Sequence, residues 1–243
     1  MRARDIMTTH VKTVAEDSLI HEITECLLKK HISAVPVTDA DGRVLGIISE
    51  GDIIHRVAAT SDGHRAWWAR LFDGSGNDAG EFIKTHAIHA RDIMTREVTT
   101  ITEDTPAEEI VRILEKRKIK RVPVLRGERL VGIVSRSDLL RVVLASSSET
   151  GASMSANDRE LRERIMANLE GQDWARLSQL NIVVSDGVAQ LWGFVGSDTE
   201  RNALRVAAET VPGVRKVEDH LNFSPIPWAA SRGRGFGGAG GIV

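Results

Sequence analysis

Hydrophobic positions along this chain switch between two periods. Ile20, Ile23, Leu27 and Leu28 recur at helical spacing, as do Ile110, Val111, Ile113 and Leu114. Each stripe is followed by two short β-branched runs, AVPVT and VLGIIS in one case, RVPVL and LVGIVS in the other. These runs predict buried hairpins that turn at Asp41-Gly42 and Arg126-Gly127. Ser18 takes the cap position of the first helix, and Thr105-Pro106-Ala107-Glu108 reads as a capping box with proline at the first helical position. GDIIHRVAA and SDLLRVVLA then predict short helices that open at or just after a Ser/Asp motif. The expected unit is β-α-β-β-α, present twice.

The units are copies of one another. RARDIMTTHVKTVAEDSLIHEI at residues 2–23 parallels HARDIMTREVTTITEDTPAEEI at 89–110, and GIISEGDII at 46–54 parallels GIVSRSDLL at 132–140. Asp5, Met7, Thr13 and Pro36 recur 87 positions later, whereas Gly46, Ser49 and Asp52 recur 86 later, so one deletion separates the copies. It falls in the hairpin turn, where a change of length costs little. Between the copies, residues 58–88 carry Trp67, Trp68 and Phe72 on a chain that is 4% aromatic, and such a pair needs burial.

Organisation changes after residue 145. Residues 146–156 are Ser-rich, small and aperiodic, as expected of a linker. DRELRERIMANLEG then puts Leu161, Ile165 and Leu169 on one helical face, and NIVVSDGVAQLWGFV is two strands about an Asp186-Gly187 turn. Ser197 and Glu200 box the start of another helix, and VRKVEDHLNF is a last strand, giving α-β-β-α-β. Alternation places Ala189, Leu191, Gly193 and Val195 on one strand face and Gln190, Trp192 and Phe194 on the other. With helices over the first face, Trp192 and Phe194 form a candidate partner surface. Residues 225–243 are Gly-rich and expected to be disordered.

Composition narrows the class. The 243 residues are 42% apolar with a net charge of -2, so no global field draws the chain to nucleic acid or an anionic membrane. Residues 158–224 hold eight Arg/Lys against eleven Asp/Glu, which opposes charge-driven lipid binding there as well. Cys26 is the single cysteine, and His64, His86 and His89 are scattered, so neither a disulfide nor a metal site is expected. Met1–Val14 has no signal-type apolar segment and no 18-residue apolar run occurs, which points to the cytoplasm. No nucleophile, base and orienter converge, so the expectation is a protein that is not an enzyme.

The chemistry is concentrated in the repeated motif. A strand ending in Ser and an Asp three residues on, at a helix start, put a hydroxyl, backbone N–H groups and a carboxylate on one rim. That set can grip a ribose and a phosphate. The same residues have a plainer reading in which Asp52 and Asp138 only cap helices.

Element order and motif position in both copies resemble the CBS domain, a regulatory module that works as a tandem pair, over residues 1–57 and 89–145. Residues 157–224, with DGVAQLWGFV and PGVRKVEDHLNF, resemble the BON domain. The fold class implied is α+β: two β-α-β-β-α CBS modules and a small α-β-β-α-β BON domain. The resemblance makes Asp138, with Ser135, Arg136 and Ser137, a ribose and phosphate site, completed by Thr99, Thr100, Ile101, Lys120, Arg121, Val122 and Pro123. A first-copy site would comprise Lys12, Thr13, Val14, Ser33, Ala34, Val35, Pro36, Ser49, Gly51 and Asp52. Arg136 stands where the first copy has Glu50, so the Asp138 site is the one expected to take a phosphorylated ligand. The implied ligand is an adenine nucleotide, AMP-like, from a class that includes ADP, ATP, NAD and S-adenosylmethionine. The implied assembly is a homodimer through the CBS pair, with occupancy relayed to the BON domain. In the alternative reading the BON domain binds a phospholipid or protein partner and the CBS pair only dimerises.

Overall fold

The computed structural model describes residues 1–59, 89–146 and 155–224. Expectations for the Trp67/Trp68 insert, most of the linker and the Gly-rich tail lie outside the described residues. The first repeat forms α1 (Ala3–Ile6), α2 (Ile20–Lys30), β1 (Ala34–Thr38), β2 (Val44–Ser49) and α3 (Glu50–Ala59). The second forms α4 (Ala90–Ile93), β3 (Ile101–Thr102), α5 (Ala107–Lys116), β4 (Arg121–Arg126), β5 (Arg129–Ser135) and α6 (Arg136–Ser146). The short helices α1 and α4 were not expected, because four residues are too few to show a period. The strand expected near Thr13 is reduced to one parallel bridge between Val14 and Val37, whereas its counterpart β3 pairs parallel with β4.

Local signals placed most boundaries well. The hairpins turn at glycines with positive φ, Gly42 at 81° and Gly127 at 62°. The helix starts need correction by one residue: Leu19 and Pro106, not Ser18 and Thr105, are the N-caps. Ser18 Oγ instead accepts from the Ala15 N–H at 3.1 Å and Thr105 Oγ from the Thr102 N–H at 3.1 Å. These hydroxyls close the turn that leads into each helix.

The repeats exchange their leading helices. Ala3, Ile6 and Met7 are buried with Ile110, Leu114, Val122, Val124 and Val134 of the second repeat, and Ala90 and Met94 with Ile23, Leu27, Val35 and Ile48 of the first. Backbone bonds hold the exchange: Thr8 and Ile133 exchange two at 3.0 Å, and so do Ile47 and Thr95. The exchange accounts for the glycine of each repeated nonapeptide. A Cβ on Gly46 would lie 2.6 Å from Met94 Sδ, and one on Gly132 would overlap Met7 Sδ.

The C-terminal unit forms α7 (Ala156–Leu169), a 3-10 turn (Leu177–Gln179), β6 (Leu180–Ser185), β7 (Val188–Val195), α8 (Asp198–Glu209) and β8 (Lys216–Phe223), in the expected order. Its sheet runs β6-β7-β8, with β6 and β7 antiparallel about Asp186-Gly187 and β8 parallel to β7. Leu161, Ile165 and Leu169 of α7 and Leu204 of α8 cover the face that carries Ala189, Leu191 and Val195. The other sheet face turns toward the repeats, where Met1 packs on Val183. Among the described residues no helix is long and apolar enough to cross a membrane.

Candidate functional site

Each Ser/Asp motif is first a helix cap. Asp52 Oδ2 accepts from the backbone N–H and the hydroxyl of Ser49, both at 2.7 Å, and Asp138 Oδ2 accepts from the same two groups of Ser135 at 2.7 Å. Ser155 and Asp158 at the start of α7 make the same box at 2.9 and 2.8 Å, in a place with no repeat motif. The capping reading therefore accounts for one oxygen of each carboxylate.

The other oxygen distinguishes the three. Asp158 Oδ1 accepts from the Gly187 N–H at 2.8 Å. Burial opposes ionisation of Asp158, but the N–H groups of Gly187 and Ser155 and the Ser155 hydroxyl outweigh it and hold its carboxyl below the usual range. Asp138 Oδ1 accepts from Arg141 Nη1 at 2.6 Å and from Asn181 Nδ2 at 2.8 Å, and the residue is 4% exposed. Asp52 Oδ1 has no partner among the described residues.

Asp138 stands in a cleft of about 420 Å³ whose walls come from both repeats and the C-terminal unit. Lys12, Lys30, Lys120, Arg121, Arg136 and Arg141 line it, with Asp138 as the one carboxylate among its lining residues. The Arg121 guanidinium donates to Ser33 Oγ; burial lowers its pKa, and the charges of Glu50 and Asp138 oppose that shift. The third wall includes Gln179, Asn181 and Phe194.

Polar contacts hold the C-terminal unit there. Arg162 donates to the carbonyls of Met7 at 2.7 Å, Ile182 at 2.8 Å and Arg4 at 3.2 Å, so a cation meets the free carbonyls at the end of α1. Its pKa is lowered by burial, against the charges of Asp5, Glu163 and Asp138. Arg159 pairs with Asp5 at 2.9 Å, and Asn181 Nδ2 also donates to Ile6 O at 2.9 Å. His31 meets Ser224 Oγ at 2.6 Å and the Phe194 ring at 5.6 Å, while Arg141 lies 6.0 Å over Trp192.

The CBS domain family matches residues 3–59 and 90–145, and the BON domain family matches residues 157–225. The chain is a CBS-domain pair followed by a BON domain. An uncharacterized protein of Methanocaldococcus jannaschii, MJ1426, is 29% identical over 59% of this chain and 92% of its own length. Hypoxic response protein 1 of Mycobacterium tuberculosis is 27% identical over 57% of this chain and 82% of its own. A 33.4 kDa protein encoded in a ribosomal RNA operon of Thermofilum pendens is 30% identical over 51% of this chain, which spans only 33% of it. Among solved structures, a CBS-domain protein of Agrobacterium tumefaciens is 27% identical with a TM-score of 0.46, covering 59% of this chain and 99% of its own. CBSX2 in complex with AMP is 21% identical with a TM-score of 0.46, covering 59% and 96%.

The CBS pair groups the expected site residues crosswise. Lys120, Arg121, Ser135, Arg136, Ser137 and Asp138 share the cleft with Lys12, Ser33 and Ala34 of the first repeat, not with Thr99, Thr100 and Ile101. The cause is the exchanged helix, since the Thr8–Ile133 bridge carries the following residues across the second motif. Val35, Pro36, Val122 and Pro123 are buried in core strands, and Ile101 is 6% exposed. Thr13 lines a separate hollow of about 360 Å³ beside Asp41 and Arg129. Ser49, Gly51 and Asp52 stay together at their own junction, and Val14 is half-buried beside β1. In the BON domain Trp192 is half-buried, stacked on His220 at 3.9 Å, and Phe194 is 37% exposed. Sequence reasoning missed Asn181, Gln179, Arg141 and Arg162. Asn181 inside the apolar run LNIVV and Arg162 beside Leu161 were the available signals: polar residues set into core patterns.

Proposed function

We propose that this is a non-catalytic regulatory protein whose CBS pair takes an AMP-like adenine nucleotide at Asp138 and relays occupancy to the BON domain docked beside it. The charge of the cleft carries this reading: six Lys and Arg side chains line it against one carboxylate. Such a site favours a phosphorylated ligand, because guanidinium groups bind phosphate through charge-assisted bonds. On the same ground AMP, ADP, ATP and NAD are favoured over the cationic S-adenosylmethionine. The Asp52 junction carries Glu50 where the other has Arg136, and is the weaker or empty site. The protein would act as a homodimer: Ile54 on α3 and Leu140 and Leu144 on α6 are 66%, 65% and 58% exposed.

Calorimetry with the five adenosine ligands on the wild type and on Asp138→Ala tests the reading. Heat from at least one phosphorylated ligand, lost in the variant, is expected; silence from all five overturns it. A second reading, in which the BON domain binds a phospholipid or protein partner and the CBS pair only dimerises, draws on the exposure of Phe194 and Phe223, 37% and 48%. Pull-down and liposome co-sedimentation with Phe194→Ala and Phe223→Ala would then lose the partner, and a partner retained by both variants counts against this reading.

A further inference from the structure

We infer that Asn181 of the BON domain is a built-in competitor for the Asp138 carboxylate, so that nucleotide binding and BON docking exclude each other at this cleft. The inference rests on the nucleotide reading proposed above and concerns a side chain that lies outside the CBS motif. A carboxylate offers about four acceptor positions. Asp138 fills them with four donors: the Ser135 N–H and hydroxyl on Oδ2, Arg141 and Asn181 on Oδ1. The two Ser135 bonds are the helix cap, and Arg141 is a cation that can turn to a phosphate. Asn181 is the neutral donor, placed as a sugar hydroxyl would be. Asp52 supplies the internal control, since its cap is identical and its Oδ1 is without a partner among the described residues.

Asn181 cannot step aside alone. Its backbone is registered opposite Trp192 within the sheet, the residue is 4% exposed and the same amide donates to Ile6 O at 2.9 Å, so withdrawing it from Asp138 also breaks a contact that seats the BON sheet on the CBS pair. The docked arrangement also carries costs that release would relieve. Asn181 Oδ1 and Gln179 Oε1 are buried with no hydrogen-bond partner among the described residues, and both side chains line this cleft. A ligand diol that takes Oδ1 of Asp138 therefore acts against a contact whose loss returns two acceptors to water. Arg162 and the Arg159–Asp5 pair seat the BON domain on the CBS pair, and the ligand's competition falls on Oδ1 of Asp138.

The test uses the full chain with spin labels at the exposed positions Lys116 and Asn202, as Lys116→Cys and Asn202→Cys in a Cys26→Ser background. AMP and ATP are titrated into the wild type and Asn181→Ala by calorimetry, and the label-to-label distance is read with and without saturating nucleotide. The expected result is binding roughly tenfold tighter in Asn181→Ala, the usual scale of coupling between sites, and a distance that lengthens or broadens on saturation of the labelled chain. Asn181→Asp, which sets a carboxylate against Asp138, should broaden the distance without nucleotide. Equal or weaker binding by Asn181→Ala, or a distance unmoved by saturating nucleotide, overturns the inference and leaves the nucleotide reading intact. No binding by either protein overturns both.

Discussion

Placing a methyl group on Gly132 tests the exchange of leading helices directly. The new Cβ would overlap Met7 Sδ, lie 2.8 Å from its Cγ and 3.2 Å from its Cβ, and Met7 is 5% exposed in the core of the other repeat. The thioether end can swing away, but the Cβ is fixed to α1, so the helix itself must shift. Overpacking of this kind costs about 2 kcal/mol, which for a chain of this size lowers Tm by roughly 4–8 °C. Met7→Ala removes the obstacle and costs about 2–4 kcal/mol through the lost burial and the cavity. The two changes should be strongly non-additive, the double variant being about 1–2 kcal/mol more stable than the sum of the singles predicts. Gly51→Ala is the control: its Cβ meets only Ser49 Oγ at 3.5 Å within α3, and should be neutral or stabilising. Urea denaturation of the four proteins in the cycle is the assay. Additive losses for Gly132→Ala and Met7→Ala would refute the packing of α1 against β5.

Arg162→Met should loosen BON docking, because three carbonyls lose a charged donor and two of them belong to the CBS pair. A loss of about 3 kcal/mol is expected, read as faster hydrogen exchange in both α1 and β6. Asp158 has its folded pKa depressed, so its stabilisation is complete above the ordinary carboxylate value of about 4 and is lost as pH falls through the lower folded value. The stability gap between wild type and Asp158→Asn should therefore be constant from about pH 5 to 8 and shrink below about pH 4 in acid titrations of urea unfolding. Leu140→Asp, at a position 65% exposed, should convert a dimer to a monomer in light scattering with Tm little changed.

Much of the architecture was legible because it is written at short range. Short β-branched runs located both hairpins, glycines at 42 and 127 located their turns, and the duplication tied the motif positions together. What was hidden is what depends on distant partners. α1 is four residues long and its partners in the second repeat lie about 95 positions or more away, so no periodicity announces it. For that reason sequence alone groups the Asp138 junction with Thr99–Ile101 of its own copy, whereas the fold brings Lys12, Ser33 and Ala34 to it instead. The Asp motif is legible as a strand-to-helix junction, but its two oxygens cannot be told apart from sequence, since Asn181 lies 43 positions beyond Asp138 in a different domain.

The exchanged helices also constrain how the chain can be made. As the polypeptide emerges, the first repeat must wait for Ala90 and Met94 before its core can close, and Ala3 to Met7 must wait for Val134. Neither repeat can finish folding behind the ribosome alone, and loop closure across so long a separation is slow. A chain cut between the copies would yield two halves that each lack a piece of their own interior and expose the Met7 or Met94 socket. The pair is thus one unit of folding, although its sequence reads as two.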